Sequence, residues 1–190
     1  YVYAFAYAYA YAYAYAYAYS YYTRARKRRS CFFKKICHCY RCWQGSENDV
    51  LDRYLQAAHG ASADVVVRIT GDCPLIDPKI VDTVVRHFKE TAAEYCSNTN
   101  PPTYPDGLDV EVFSFEALKK SWTEADDIKD REHVTFYLWK RGQNFKTIML
   151  DNKYDWGKYR ITVDYNEDLI LRICLNFTFF SIPIIKLLIT

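Results

Sequence analysis

The segment Val65-Val-Val-Arg-Ile69, followed at once by Thr-Gly-Asp and two prolines, constrains this chain more than any other stretch. A short, nearly unbroken β-branched run reads as a buried strand, most often one in a parallel sheet. Gly71 breaks the strand, and Pro74 and Pro78 bracket a turn. Asp77 before Pro78 predicts a helix start, with a side-chain acceptor at the N-cap and proline at the first helical position. Asp72 falls just past the strand's carboxyl end, where open α/β sheets place their ligands. Two readings of Asp72 follow: a carboxylate for a hard cation on substrate phosphates, or a side chain that hydrogen-bonds its own turn.

The neighbouring residues continue the helix–strand alternation of an α/β protein. Ser46 with Asp49 is an acidic variant of the capping box, and Val50, Leu51, Tyr54, Leu55 and Ala58 fall on one helical face that stops at Gly60. Ile80, Val81, Val84, Val85 and Phe88 mark a second helix, and residues 94–97 a short strand. Asp106-Gly107 is a turn pair. From there Leu108, Val110 and Val112 alternate with Asp109 and Glu111. These acids either bind sugar hydroxyls or a cation, or form the wet face of an edge strand. Ser114 caps a third helix that buries Phe115, Leu118 and Trp122. Asp130 is expected to cap a fourth, placing Arg131, Glu132 and His133 in its first turn. Arginine there opposes the helix dipole, so Arg131 is kept for a ligand or for a solvent salt bridge. Residues 145–150 and Tyr159 to Val163 read as strands. Asp164 stands past the second, and Asn166 to Asp168 starts a final helix.

The flanks differ in character. Residues 1–43 hold a Tyr/Ala alternation, a basic run at 24–29 and a cysteine cluster at Cys31, Cys37, Cys39 and Cys42. Residues 174–190 are mostly apolar. Both are expected to lie outside the native domain, which is set at 44–173. The Tyr/Ala tract exceeds usual strand length and reads as low complexity. Cys39-Tyr-Arg-Cys42 has the spacing of half a zinc site, but no second half follows. An odd total of seven cysteines without a secretory signal argues against a disulfide framework and for a reducing, cytoplasmic setting. A net charge of +2 implies no bulk attraction to nucleic acid. The apolar tail is shorter than a spanning helix, so no membrane partner is expected. An anchored or nucleic-acid-associated protein using the basic run and the tail is the competing reading.

Six motifs occur in order: Gly45-Ser-Glu-Asn-Asp-Val-Leu-Asp-Arg-Tyr54, Arg68-Ile-Thr-Gly-Asp-Cys-Pro-Leu-Ile-Asp77, Ser97-Asn-Thr99, Tyr104-Pro-Asp-Gly-Leu-Asp-Val-Glu111, Asp130-Arg-Glu-His-Val-Thr135 and Thr162-Val-Asp-Tyr-Asn-Glu-Asp168. Together they resemble the spore-coat polysaccharide biosynthesis protein F family, which is similar to the acylneuraminate and deoxyoctulosonate cytidylyltransferases. The resemblance covers residues 44–173. It implies a Rossmann-like α/β/α sandwich of the nucleotide-diphospho-sugar transferase type. It also implies transfer of CMP from CTP to a sugar, with release of pyrophosphate. By the same resemblance Mg²⁺ is held by Asp72 and Asp164, Gly45 and Ser46 lie near the nucleotide with Asp72, and Asp106, Asp109, Glu111, Arg131 and His133 line the sugar side. A homodimer is the assembly that relatives suggest.

Members of that family begin with a strand and a Gly-, Arg- and Lys-containing loop that cradles the triphosphate. Residues 1–43 show no such pattern. A site without those donors leaves phosphate charge unneutralised. The expectation is therefore a family member with impaired catalysis, or a remnant that only binds a sugar or nucleotide sugar.

Overall fold

The computed structural model describes residues 45, 46, 48–73 and 75–168. The Tyr/Ala tract, the basic run, the Cys31–Cys42 cluster and the apolar tail lie outside them. Helix α1 is Val50–Gly60. Its cap is Asp49, whose side chain accepts from the Asp52 amide. Ser46, the expected cap, instead accepts from the Asn48 and Asp49 amides at 3.2 Å each, shaping the turn before the helix. Strand β1 is Val65–Arg68. Helix α2, Pro78–Thr91, begins as expected, with Asp77 accepting from the Lys79 amide and proline in the first turn. Strand β2 is Tyr95–Ser97 and β3 is Glu111–Ser114. Ser114 then caps α3, Phe115–Glu124, by accepting from the Ala117 amide. Two short helices follow, α4 (Ile128–Glu132) and α5 (Phe136–Lys140), then a 3-10 turn at Gly142–Asn144 and strand β4 at Thr147–Met149.

The described strands form one mixed sheet in the order β1-β3-β2-β4. β3 runs antiparallel to both β1 and β2, and only β2 and β4 are parallel. The expected parallel setting of β1 is thus corrected. A β-branched run reports burial and says nothing of the direction of its partner. The segment expected as a strand over 159–163 makes a single bridge, between Asp106 and Arg160.

Period-two alternation divides the sheet between two cores. Tyr95 and Phe113 point to one face, where Leu51, Leu55, Leu118, Tyr137 and Leu138 of the helices α1, α3 and α5 cover them. Cys96 and Val112 point to the other, against Val81, Val84 and Phe88 of α2. Helices on both faces of a sheet make three layers, so the expected α/β/α architecture is observed.

Candidate active site

Three loops bring four carboxylates to one end of the sheet. Asp72 lies on the turn from β1 to α2, Asp106 and Asp109 precede β3, and Asp164 ends the extended segment after β4. Backbone hydrogen bonds tie these loops together. The Val163 amide donates to the Asp72 carbonyl at 2.9 Å, the Asp106 amide donates to the Tyr159 carbonyl at 2.9 Å, and the Ile161 amide donates to the Asp106 carbonyl at 2.7 Å. Gly107 makes this approach possible. Its φ is +106°, and a Cβ there would lie 2.9 Å from both the Ile161 carbonyl carbon and the Thr162 nitrogen. Only glycine combines that backbone conformation with that closeness.

Asn98 sets the other side of the acidic loop. Buried at 1 % exposure, it donates from Nδ2 to the Leu108 carbonyl and accepts from the Val110 amide on Oδ1, each at 2.8 Å. An amide side chain thereby replaces a strand partner on either side of Asp109. Ser97 adds a bond from its hydroxyl to the Val110 carbonyl at 3.1 Å.

The carboxylates feel one another. Burial raises the Asp106 pKa, and the charges of Asp72 and Asp164 raise it further, against Arg160. Asp109 is pushed up to about 6, first by burial and then by the charges of Asp106, Glu111 and Asp72, with Arg68 opposing. Cys73 sits against the same group, its thiol 3.7 Å from Asp72 Oδ1 and 3.0 Å from Thr70 Oγ1. Burial, aided by the charges of Asp72 and Asp109, pushes it up to about 12, so it stays a thiol.

Glu111 is not on a wet face. It is 6 % exposed in the strand between β1 and β2. It accepts from Arg68, its register partner across the strands, and from the Tyr95 hydroxyl at 2.7 Å. The edge-strand alternative for this carboxylate is corrected: β3 is interior, and the arginine directly opposite makes burial of the charge tolerable.

The remaining candidates stand apart from the acidic group. Arg131 is in the last turn of α4, because that helix starts at an Asp127 cap, three residues before the expected Asp130. It therefore complements the helix dipole instead of opposing it. Its guanidinium bonds Asp49 Oδ2 through Nη2 at 2.7 Å and Nε at 3.1 Å, bonds the Trp122 carbonyl at 2.8 Å, and stacks over the Trp122 ring. Arg131 thus clamps the ends of α1, α3 and α4. His133 is the exposed C-cap of α4, its amide bonded to the Lys129 carbonyl. Asp130 is buried and faces Lys140 at 3.9 Å. Gly45 and Ser46 are exposed ahead of α1, and Gly45 lies against the Arg53 stem, where a Cβ would come within 2.6 Å of Cγ.

Sequence reasoning missed Arg68, Arg160 and Asp168. Arg160 binds Asp164 at 2.6 Å and Asp168 at 2.7 Å. Asp168 also accepts from the Asp164 and Tyr165 amides at 3.0 Å each. The Arg160 hydrogen bonds and then these amides hold its carboxyl below the usual range. The signal available was the spacing: an arginine four residues before one acid and eight before another.

A divalent cation suits this group in a specific sense. Among the described residues no three His, Cys, Asp or Glu side chains form a ready cage, yet after burial the negative charges of Asp72 and Asp164 raise the Asp106 carboxyl. Mg²⁺ is typically held by one or two carboxylates completed by water and substrate phosphates; the residues here that could hold one in that way are Asp72 and Asp164.

A family model described as "Cytidylyltransferase" matches residues 27–173. The chain belongs to the cytidylyltransferase family. The match begins upstream of residue 44. A solved cytidylyltransferase from Leptospira borgpetersenii serovar Hardjo-bovis superposes with a TM-score of 0.73 at 33 % identity, covering 80 % of this chain and 66 % of that one. An uncharacterized protein of Methanocaldococcus jannaschii is 38 % identical over 128 residues, which is 66 % of this chain and 51 % of that protein. The spore coat polysaccharide biosynthesis protein SpsF of Bacillus subtilis is 29 % identical over 138 residues, 69 % of this chain and 56 % of that protein. A 3-deoxy-manno-octulosonate cytidylyltransferase of Chloroherpeton thalassium matches at 40 % over a shorter stretch of 55 residues, 29 % of this chain and 22 % of that protein. The chain spans about half the length of the first two of these relatives. No helix among the described residues is long and apolar enough to cross a membrane.

Proposed function

We propose that this cytidylyltransferase-family chain transfers CMP from CTP to a sugar, for a surface polysaccharide such as a spore coat, and that Asp72 and Asp164 hold the Mg²⁺ for that reaction. The observation that carries the reading is the backbone seam between the Asp72 and Asp164 loops, which sets both carboxylates where their charges act on Asp106. In the reaction a sugar hydroxyl attacks the α-phosphorus of CTP, the bond to the β-phosphate oxygen breaks, and pyrophosphate leaves. The cation, when bound, screens the triphosphate and offsets charge on the transferring phosphoryl group. Asp106 and Asp109 accept from sugar hydroxyls. Asp109, pushed up to about 6, is mostly ionised at neutral pH yet basic enough to take the proton of the attacking hydroxyl.

In this reading turnover is slow, since the described arginines nearest the acids are already engaged. The two arginines bordering the acidic group are paired with carboxylates, Arg68 with Glu111 and Arg160 with Asp164 and Asp168. Calorimetric titration with CTP and Mg²⁺, followed by a pyrophosphate-release assay over neutral, amino and acidic sugars, tests both parts. Saturable, metal-dependent binding with slow sugar-dependent release is expected. Fast release overturns the impairment, binding without release favours a non-catalytic remnant, and no binding overturns the assignment.

A further inference from the structure

Asp164 is held by one oxygen only. Both side-chain hydrogen bonds to its carboxylate fall on Oδ2, from Arg160 Nη1 at 2.6 Å and from Thr162 Oγ1 at 2.7 Å. Arg160 is itself anchored: Nη2 donates to Asp168 Oδ1 at 2.7 Å and Nη1 reaches Asp168 Oδ2 at 3.2 Å. Asp168 in turn accepts the backbone amides of Asp164 and Tyr165. The planar fork of arginine thus spans two carboxylates, while the second of those carboxylates fixes the backbone that carries the first.

We propose that Arg160, anchored by Asp168 and assisted by Thr162, is a positioning residue that ties down Oδ2 of Asp164 so that Oδ1 is presented as a single-oxygen ligand for the divalent cation. This rests on the metal assignment made above. A ligating carboxylate is ordinarily oriented by hydrogen bonds to its other oxygen, and loss of such partners weakens metal binding 10–100-fold. The competing account is an ordinary exposed ion pair, in which Arg160 merely neutralises Asp164. The two accounts differ in sign. Removing a mere counter-ion leaves the acidic group more negative, and its cation affinity rises. Removing a positioning residue frees the carboxylate, and affinity falls. Lysine separates them again, because one ammonium keeps the charge but cannot span Asp164 and Asp168 together.

The test is titration of the full chain with Mn²⁺ alone, read by loss of the free-ion EPR signal, with the thermal midpoint as a check on folding. Arg160→Gln and Arg160→Lys are both expected to weaken Mn²⁺ binding by about 10-fold or more, and Asp168→Asn to do the same, with midpoints near that of the parent. Unchanged or tighter binding in Arg160→Gln, or full rescue by lysine, overturns the positioning role. Asp72→Asn and Asp164→Asn serve as references. If neither weakens Mn²⁺ binding, the metal assignment itself fails and the positioning role falls with it. If both do and Arg160→Gln does not, only the positioning role fails.

Discussion

The Val163 amide donates to the Asp72 carbonyl at 2.9 Å, so residues 91 positions apart along the chain share one hydrogen bond at the mouth of the acidic group. That bond joins the segments of the two acids proposed to hold the metal, Asp72 and Asp164. Asp72→Asn and Asp164→Asn should each lower Mg²⁺-dependent pyrophosphate release by about 100-fold, the effect of losing roughly 3 kcal/mol of charge stabilisation. Equal turnover in either variant would remove the cation from Asp72 and Asp164.

Asp109 gives a pH signature. Its carboxyl is raised in the folded chain, to about 6 from 3.8, so the folded state holds the proton more tightly than the unfolded state. Asp109 therefore costs the fold nothing below pH 4. The cost grows as pH rises from about 4 to 6 and is constant above. After allowance for solvent screening it is about 1–2 kcal/mol. Asp109→Asn should be more stable than the parent by that amount in urea unfolding at pH 7.5, and by less at pH 4.5. The same variant should lose activity, and in the parent the acid limb of kcat/KM should fall near pH 6.

In the Arg68–Glu111 pair Glu111 is buried in the sheet and Arg68 is half-buried. Glu111→Ala leaves Arg68 with its main partner gone and removes the acceptor of the Tyr95 hydroxyl, at a cost of about 3–5 kcal/mol. Adding Arg68→Leu should recover part of that loss, because no uncompensated charge then remains. A double-mutant cycle by chemical denaturation measures the coupling, and additive losses would show that the pair does not act as a unit.

Gly107→Ala sets a methyl group against the backbone of Ile161 and Thr162 at a φ that alanine disfavours. A loss of about 2 kcal/mol is expected, together with weaker Mn²⁺ binding as the Asp106 loop shifts from the Asp164 segment. Stability and metal affinity equal to the parent's would mean that this loop contact does not shape the site.

Helix starts were legible where a single strong cap stood before an apolar stripe, as at Asp77-Pro78 and Ser114. They were ambiguous in Asp126-Asp-Ile-Lys-Asp130, where several acids compete for one cap. Choosing Asp130 instead of Asp127 moved Arg131 from the last turn to the first and inverted its electrostatic meaning. Strand direction at β1 was not legible, because side-chain period two is common to parallel and antiparallel ladders. Burial of Glu111 was hidden for a related reason. Alternation placed it opposite Val112, but its arginine partner lies 43 residues away and becomes visible only once the register is known. The acids at strand ends were readable one by one. Their grouping was not, since it rests on backbone bonds between residues 72, 106 and 159–163.

The strand order β1-β3-β2-β4 also governs how the chain can fold during synthesis. Among the described strands β1 pairs only with β3, and the intervening segment includes all of α2. As the polypeptide leaves the ribosome, Val65–Arg68 emerges before Glu111–Ser114, its partner among the described strands, and until then that side of its ladder is open to other partners. Arg68 waits there too, a charge within the strand that discourages premature pairing with a neighbouring chain.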